Sequence, residues 1–155
     1  MDKAAPPIKV IATNRKAGHE FAIHERYEAG IALVGSEVKS LRAARVVIAD
    51  GWVEFRKGRA LLHGIQIQEY AQANRWGHEA ERARQLLMHA HEIDKLAVKT
   101  QQRGYTLIPL AVYFKGHRVK VELGLVTHKK QHDKRQTKKL ADDKREMDRA
   151  IKRAR

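Results

Sequence analysis

Apolar and polar residues alternate through the first part of the chain with the two-residue period of strands. Ile8, Val10 and Ala12 alternate with Lys9, Ile11 and Thr13, and polar Asn14 to Gly18 then reads as a loop. Two further strands are expected at Phe21 to Ile23 and at Ile31 to Val34. Gly30 between them suggests a bend or bulge. Ser36 is placed to cap a short helix, Glu37 to Arg42, with an acid in its first turn and a base in its last. Trp52 to Arg56 and Ala60 to Tyr70 flank Lys57-Gly58 as one hairpin. Tyr105 to Phe114 and Arg118 to Val126 flank Lys115-Gly116-His117 as another. In its last strand Val119, Val121, Leu123 and Leu125 share one face while Arg118, Lys120 and Glu122 share the other, the mark of a half-buried antiparallel strand.

Between the hairpins the period lengthens. Ile93, Leu96, Ala97 and Thr100 fall at helical spacing and Gly104 is placed to end the helix, which predicts a helix from about Glu92 to Arg103. Pro109 inside the next strand pattern points to an edge or a bulge. The polar stretch Ala71 to Arg84 reads as a long loop, and loops of that length tend to be functional. Many short strands and two or three short helices predict a mainly β fold: a small antiparallel barrel of the oligonucleotide-binding type over residues 1–127.

Residues 128–155 depart from this pattern. They hold twelve Lys/Arg against five Asp/Glu, half of the formal net charge of +14, and only Leu140, Met147 and Ile151 as large apolar side chains. That is too little to offset the entropy of ordering the segment, so a basic tail, disordered alone, is expected. The three apolar residues are spaced by seven and four, one stripe of a helix that would form on binding. A sequence pI near 10.2, with charge in both parts, points to a phosphate-rich partner and above all to RNA. An anionic membrane is less well matched, because the tail lacks an aromatic-aliphatic anchoring face.

The chain has no cysteine, which removes disulfides, thiolate metal sites and cysteine nucleophiles. No stretch approaches the length of a membrane span, and no apolar leader stands at the N-terminus, so cytoplasm is the expected compartment. Walker, dinucleotide and nucleophile-elbow motifs are absent, nine histidines show no zinc-protease spacing, and Asp142-Asp143 is flanked by lysines. Neither an enzyme, nor a cofactor, nor a metal site is expected.

Features suited to RNA are easier to find. Arg82-x-Arg84-x-Leu86-Leu87 sets two guanidinium forks before an apolar segment. Lys129-Lys130-Gln131-His132-Asp133-Lys134-Arg135 is a basic run with one flat ring able to stack on a base. Asn14 and Glu28 stand beside strand ends, and Glu28 would either accept hydrogen bonds from RNA or pair with Arg26 or Lys39.

The chain resembles the small protein B family, the SsrA-binding (tmRNA-binding) proteins of bacteria. Its most specific block is Glu28-Ala29-Gly30-Ile31-Ala32-Leu33-x-Gly35-x-Glu37-Val38-Lys39-Ser40-Leu41-Arg42. Ile11-Ala12-x-Asn14, Gly104-Tyr105-Thr106-Leu107-Ile108-Pro109-Leu110, the Arg82 motif and the tail heptapeptide follow the family's order. Ala80, Gln85 and His128 depart from its usual proline, lysine and glycine. The resemblance implies an adaptor of trans-translation whose barrel binds the tRNA-like domain of tmRNA, with Asn14, Glu28 and Leu87 at positions the family uses there. Lys16, Lys39, Arg42, Arg82 and Arg84 complete the expected RNA face. It implies a tail that enters the empty mRNA channel of a stalled ribosome and meets small-subunit rRNA at the decoding centre. Lys129, Lys130, His132, Asp133, Lys134, Arg135, Ile151 and Lys152 are its candidate contacts. Elongation factor Tu with GTP and alanyl-tmRNA would be partners, and the protein a monomer. A generic RNA-binding or ribosome-associated barrel is the alternative, and a metal-dependent nuclease a more distant one.

Overall fold

The computed structural model describes residues 5–69, 79–129 and 131–154. The chain forms β1 (Ile8–Thr13), α1 (Ala17–Glu20), β2 (Phe21–Ile31), α2 (Gly35–Arg42) and β3 (Val46–Val47). Then come β4 (Trp52–Arg56), β5 (Arg59–His63), β6 (Gln66–Ile67), β7 (Arg84–Leu87) and α3 (Ala90–Gln101). The long hairpin β8 (Tyr105–Lys115) and β9 (Arg118–His128) leads into α4 (Gln131–Arg153).

Seven strands make one antiparallel sheet in the order β1-β8-β9-β2-β7-β5-β4, and β3 pairs with β6 apart from it. The sheet curls without closing, so the expected barrel is an open one. Its β4 edge approaches β8 through Gly51, just before β4. A Cβ there would lie 2.5 Å from Pro109 Cγ and 2.8 Å from Ile65 Cγ2, a distance no side chain tolerates. Leu62, Ile65, Ile67, Leu86, Leu96, Leu107, Val121 and Leu123 fill the interior. A smaller cluster of Ala17, Ile108, Leu110 and Val126 covers the opposite face of the long hairpin, so β8 is buried on both sides.

Several expectations are corrected. Phe21 to Ile31 is one strand, because pairing with β9 carries it through the polar residues, and Ile31 to Val34 is not a second. The register shift in β2 falls between Ile23 and Glu25, not at Gly30. Helix α2 is capped at Val34, with the Glu37 carboxylate accepting the Val34 N–H at 3.1 Å, so Ser36 is not the cap. Gly64, at φ +75, divides the stretch expected as one strand into β5 and β6. Pro109 does lie at a bulge, but β8 is an interior strand and not an edge. Helix α3 begins and ends two residues earlier than expected. The apolar segment expected after Arg84 is strand β7, and most of the expected loop lies outside the described residues.

Helix α4 is formed in the chain without a partner, and every described side chain on it is exposed, including Leu140, Met147 and Ile151. Strand β9 runs through His128, whose ring lies 4.5 Å from that of Phe21, one residue past the expected division of the chain.

Candidate RNA interface

Glu28 and Leu87 meet on the outer side of the sheet where β2 borders β7. Gly30 pairs with Leu87, and a Cβ on Gly30 would stand 3.2 Å from Leu87 Cβ, so the glycine serves this close approach. Leu87 is 55% exposed. The open groove beside it, about 480 Å³, is lined by Glu28, Gly30, Leu87, Met88, His89 and Lys120, among others.

The Glu28 carboxylate is held from the neighbouring strands. Tyr113 donates its hydroxyl to Oε2, and Lys115 Nζ lies 3.3 Å from Oε1. The bond from Tyr113 keeps the Glu28 pKa below the ordinary carboxylate range, with Lys115 and Lys120 adding to it against partial burial. Burial, and then donation to Glu28, push the phenol of Tyr113 upward. Neither Arg26 nor Lys39 is the partner of Glu28; Arg26 pairs with Glu122 at 2.7 Å. Tyr113, Lys115 and Lys120 were not singled out from sequence. Their signal was the outward face of the β8–β9 hairpin, where Tyr113 stands opposite Lys120.

Two further grooves continue around the hairpin tip. One joins Glu28 to Lys115, His117, Arg118 and Lys120, and the next joins His117 to Lys9, Ile8 and Arg42. Arg42 thus belongs to the Glu28–Leu87 surface, and exposed Lys39 lies one turn before it on α2. Lys16 is exposed beside α1 and lines none of these grooves.

Three expected contacts are otherwise engaged. Arg84 is fully buried: its Nε donates to Glu37 Oε2, Nη1 to the Arg82 carbonyl at 2.9 Å, and Nη2 to the Ala80 carbonyl at 3.1 Å. Arg82 donates to the other oxygen of Glu37 and keeps part of its side chain in solvent. Burial alone would raise the Glu37 pKa, but the bonds from Arg82, Val34 N–H and Arg84 outweigh it and hold the group low. The guanidinium of Arg84 therefore braces the segment leading to Leu87 and is closed off from solvent. Asn14 is also buried, its amide donating to the Pro109 carbonyl at 3.0 Å and its Oδ1 accepting from Ala17 N–H at 3.2 Å. It fixes the turn from β1 into α1.

The tail leaves from another part of the surface. Lys129 Nζ donates to the Gly18 carbonyl at 2.8 Å beside α1, whereas the Glu28 groove lies toward the opposite end of the β8–β9 hairpin. Arg135, Ile151 and Lys152 are exposed on α4. Lys130 and the side chains of His132, Asp133 and Lys134 lie outside the described residues. His89 stands at the N-cap position of α3 and His91 in its first turn, their rings 5.6 Å apart. Among the described residues no group of three His, Cys, Asp or Glu is placed to hold a metal ion.

An open antiparallel barrel with a cationic groove around one hairpin tip, and a basic helix set apart from it, has the build of an RNA-binding protein with two contact regions. The family described as SmpB protein matches residues 11–153, and the chain belongs to that family. It is 49% identical over 143 residues to the SsrA-binding protein of Streptomyces avermitilis, covering 92% of this chain and 81% of the relative. It is 48% identical over 151 residues to that of Syntrophobacter fumaroxidans, covering 97% and 94%. Among solved structures, a chain from "tmRNA-SmpB: a journey to the center of the bacterial ribosome" superposes with a TM-score of 0.66 at 42% identity, over 77% of this chain and 85% of that one.

Proposed function

We propose that this protein is the tmRNA-binding adaptor of trans-translation: its barrel holds tmRNA and its tail brings that RNA to stalled ribosomes. Family membership over residues 11–153 carries the reading. The geometry supports it, because the groove around Glu28, Leu87 and Arg42 and the arm on Lys129 are separate surfaces that can serve two RNAs at once. The protein is not an enzyme; it positions the RNA. Among the described residues no helix is long and apolar enough to cross a membrane.

The tRNA-like domain of tmRNA fits the groove, with Glu28 accepting from base or ribose donors and Leu87 packing on an exposed base or sugar. The tail enters the vacant mRNA channel, where His132 stacks on small-subunit rRNA and Lys134 and Arg135 reach phosphates. The sequential contacts from Lys129 and Lys130 through Asp133 to Ile151 and Lys152 order the helix along that channel. An occupied channel excludes the tail sterically, so tail docking reports that the message has ended. One adaptor acts as a monomer, with alanyl-tmRNA carried by elongation factor Tu and GTP.

Truncation after Lys129 tests this division. It spares the His128–Phe21 contact and the Lys129–Gly18 bond. Affinity for tmRNA is expected to stay within about twofold in a native-gel assay, while tagging of stalled products in a reconstituted translation system disappears. Parallel loss of both would favour a generic basic RNA-binding barrel instead.

A further inference from the structure

We propose that the outer face of the β4–β5 hairpin is a second contact surface for the same tmRNA, which takes an unstacked base on Trp52 and phosphates on Arg56, Lys57 and Arg59. The proposal rests on the tmRNA-binding reading above and extends its footprint.

Alternation along the two strands sorts this face cleanly. Val53, Ala60 and Leu62 point into the core, while Trp52, Glu54, Arg56, Arg59, Leu61 and His63 point away. Trp52 is 47% exposed, and its indole stacks on the ring of His63 with centroids 4.6 Å apart and planes 18° from parallel. His63 is itself held by Glu54 at 2.7 Å. The result is a flat aromatic surface, held by His63 and nearly half exposed, of the kind on which single-stranded or looped RNA stacks.

The cations beyond it are placed where the fold gains nothing from them. Arg56 stands directly opposite Arg59 in the ladder, and like charges so placed destabilise a strand pair. Lys57 takes φ +50 ahead of Gly58 at φ +73, a turn position that Asn, Asp or Gly fills with less strain. Glu54 is the one carboxylate on this face of the two strands; Arg56 Nε is 4.0 Å from one of its oxygens, and His63 holds the other. A polyanion relieves this crowding.

Continuity with the Glu28–Leu87 groove identifies the occupant. Arg59 and Leu87 follow the paired residues Ala60 and Leu86 at the same end of the β5–β7 ladder. From Leu87 on β7 to Arg56 on β4 is two strand spacings, on the order of 10 Å. An RNA resting on Leu87 therefore reaches Arg59 and Arg56 without a change in the protein, and Trp52 lies four residues further along β4, about 13 Å beyond Arg56.

The test uses the full chain and tmRNA, with Glu28→Ala as the reference. Arg56→Glu/Arg59→Glu is expected to weaken binding at least fivefold and to lower the slope of log affinity against log salt by about 1–2. Trp52→Ala is expected to weaken it about fivefold or more with the slope unchanged, and Trp52→Phe to restore most of the loss. In a Trp76→Phe background, tmRNA should quench the remaining indole fluorescence. If Glu28→Ala weakens binding while the hairpin variants bind as the parent does, the outer face is not part of the tmRNA footprint and the proposal falls alone. If the parent protein fails to bind tmRNA, the functional reading falls with it. A concentration-dependent dimer abolished by Trp52→Ala would assign the face to a second copy of the chain and overturn the proposal.

Discussion

The barrel and the tail carry equal shares of the net charge but use it in opposite ways. In the barrel many cations have a partner on another strand or helix: Arg84 and Arg82 on Glu37, Lys99 on Glu25, Lys115 on Glu28. Those pairs join segments far apart in sequence, so they report a fold already made. On α4 no described side chain is buried, and its one apolar stripe faces solvent. A helix of 23 residues, about 34 Å long, is marginal in water without packing. The same charge thus joins distant segments in one region and lies along a solvent-exposed helix in the other.

The sharpest way to break this contrast is to remove the buried cation. Arg84→Met leaves the Glu37 carboxylate in the interior with only Arg82 and the Val34 N–H, and is expected to cost about 3–5 kcal/mol in chemical denaturation. Glu37→Gln/Arg84→Met should cost clearly less than the sum of the single changes, because neither charge is then stranded. Glu37 has a lowered pKa in the fold, so its contribution is present above the ordinary carboxylate range and lost as pH falls through the folded value. The acid limb of the stability profile should therefore be steeper in the parent than in the double variant. Equal destabilisation by either change at every pH would show that the pair does not act as one unit.

Arg84 also marks where the sequence stops being legible. The β8–β9 hairpin and α3 were readable because period and turn chemistry are local: Lys115-Gly116-His117 between alternating strands, Ile93 and Leu96 at helical spacing. The burial of Arg84 depends on Glu37, 47 positions away, and an arginine in a basic sequence otherwise reads as surface. Strand β7 is hard to read for the same reason, since its pairing to β2 and β5 is long-range and its first residue is charged. Asn14 was legible as important but not as a buried turn clamp. Glu28 is legible as a polar residue beside a strand end and within the family block, Leu87 only through the family resemblance, and Tyr113, which aims Glu28, needs the register of β8 to appear.

Tyr113→Phe sharpens the role of that groove with a smaller effect. It deletes one hydroxyl and keeps the ring, which is largely buried. The bond it removes is to a charged acceptor, so stability should fall by about 1.5 kcal/mol. The carboxyl of Glu28 loses the first cause of its lowered pKa, and its titration moves up. Binding of tmRNA should weaken less than in Glu28→Ala, and on acidification it should begin to fall at a higher pH than in the parent protein. An unchanged acid limb of binding would mean that Tyr113 serves packing and not the aim of Glu28.

The smallest expected effect is the one that defines the tail. Leu140→Gln/Met147→Gln/Ile151→Gln removes the whole apolar stripe while keeping residues that favour helix. If the stripe packs on nothing in the free protein, thermal stability should move by no more than about 0.5 kcal/mol and tmRNA affinity should not move. Tagging on stalled ribosomes should nevertheless fall, because the stripe then has no apolar surface to offer the channel that orders it. A stability loss of the size seen for a buried leucine, about 2–5 kcal/mol, would place the stripe against the barrel and end the distinction between the two regions.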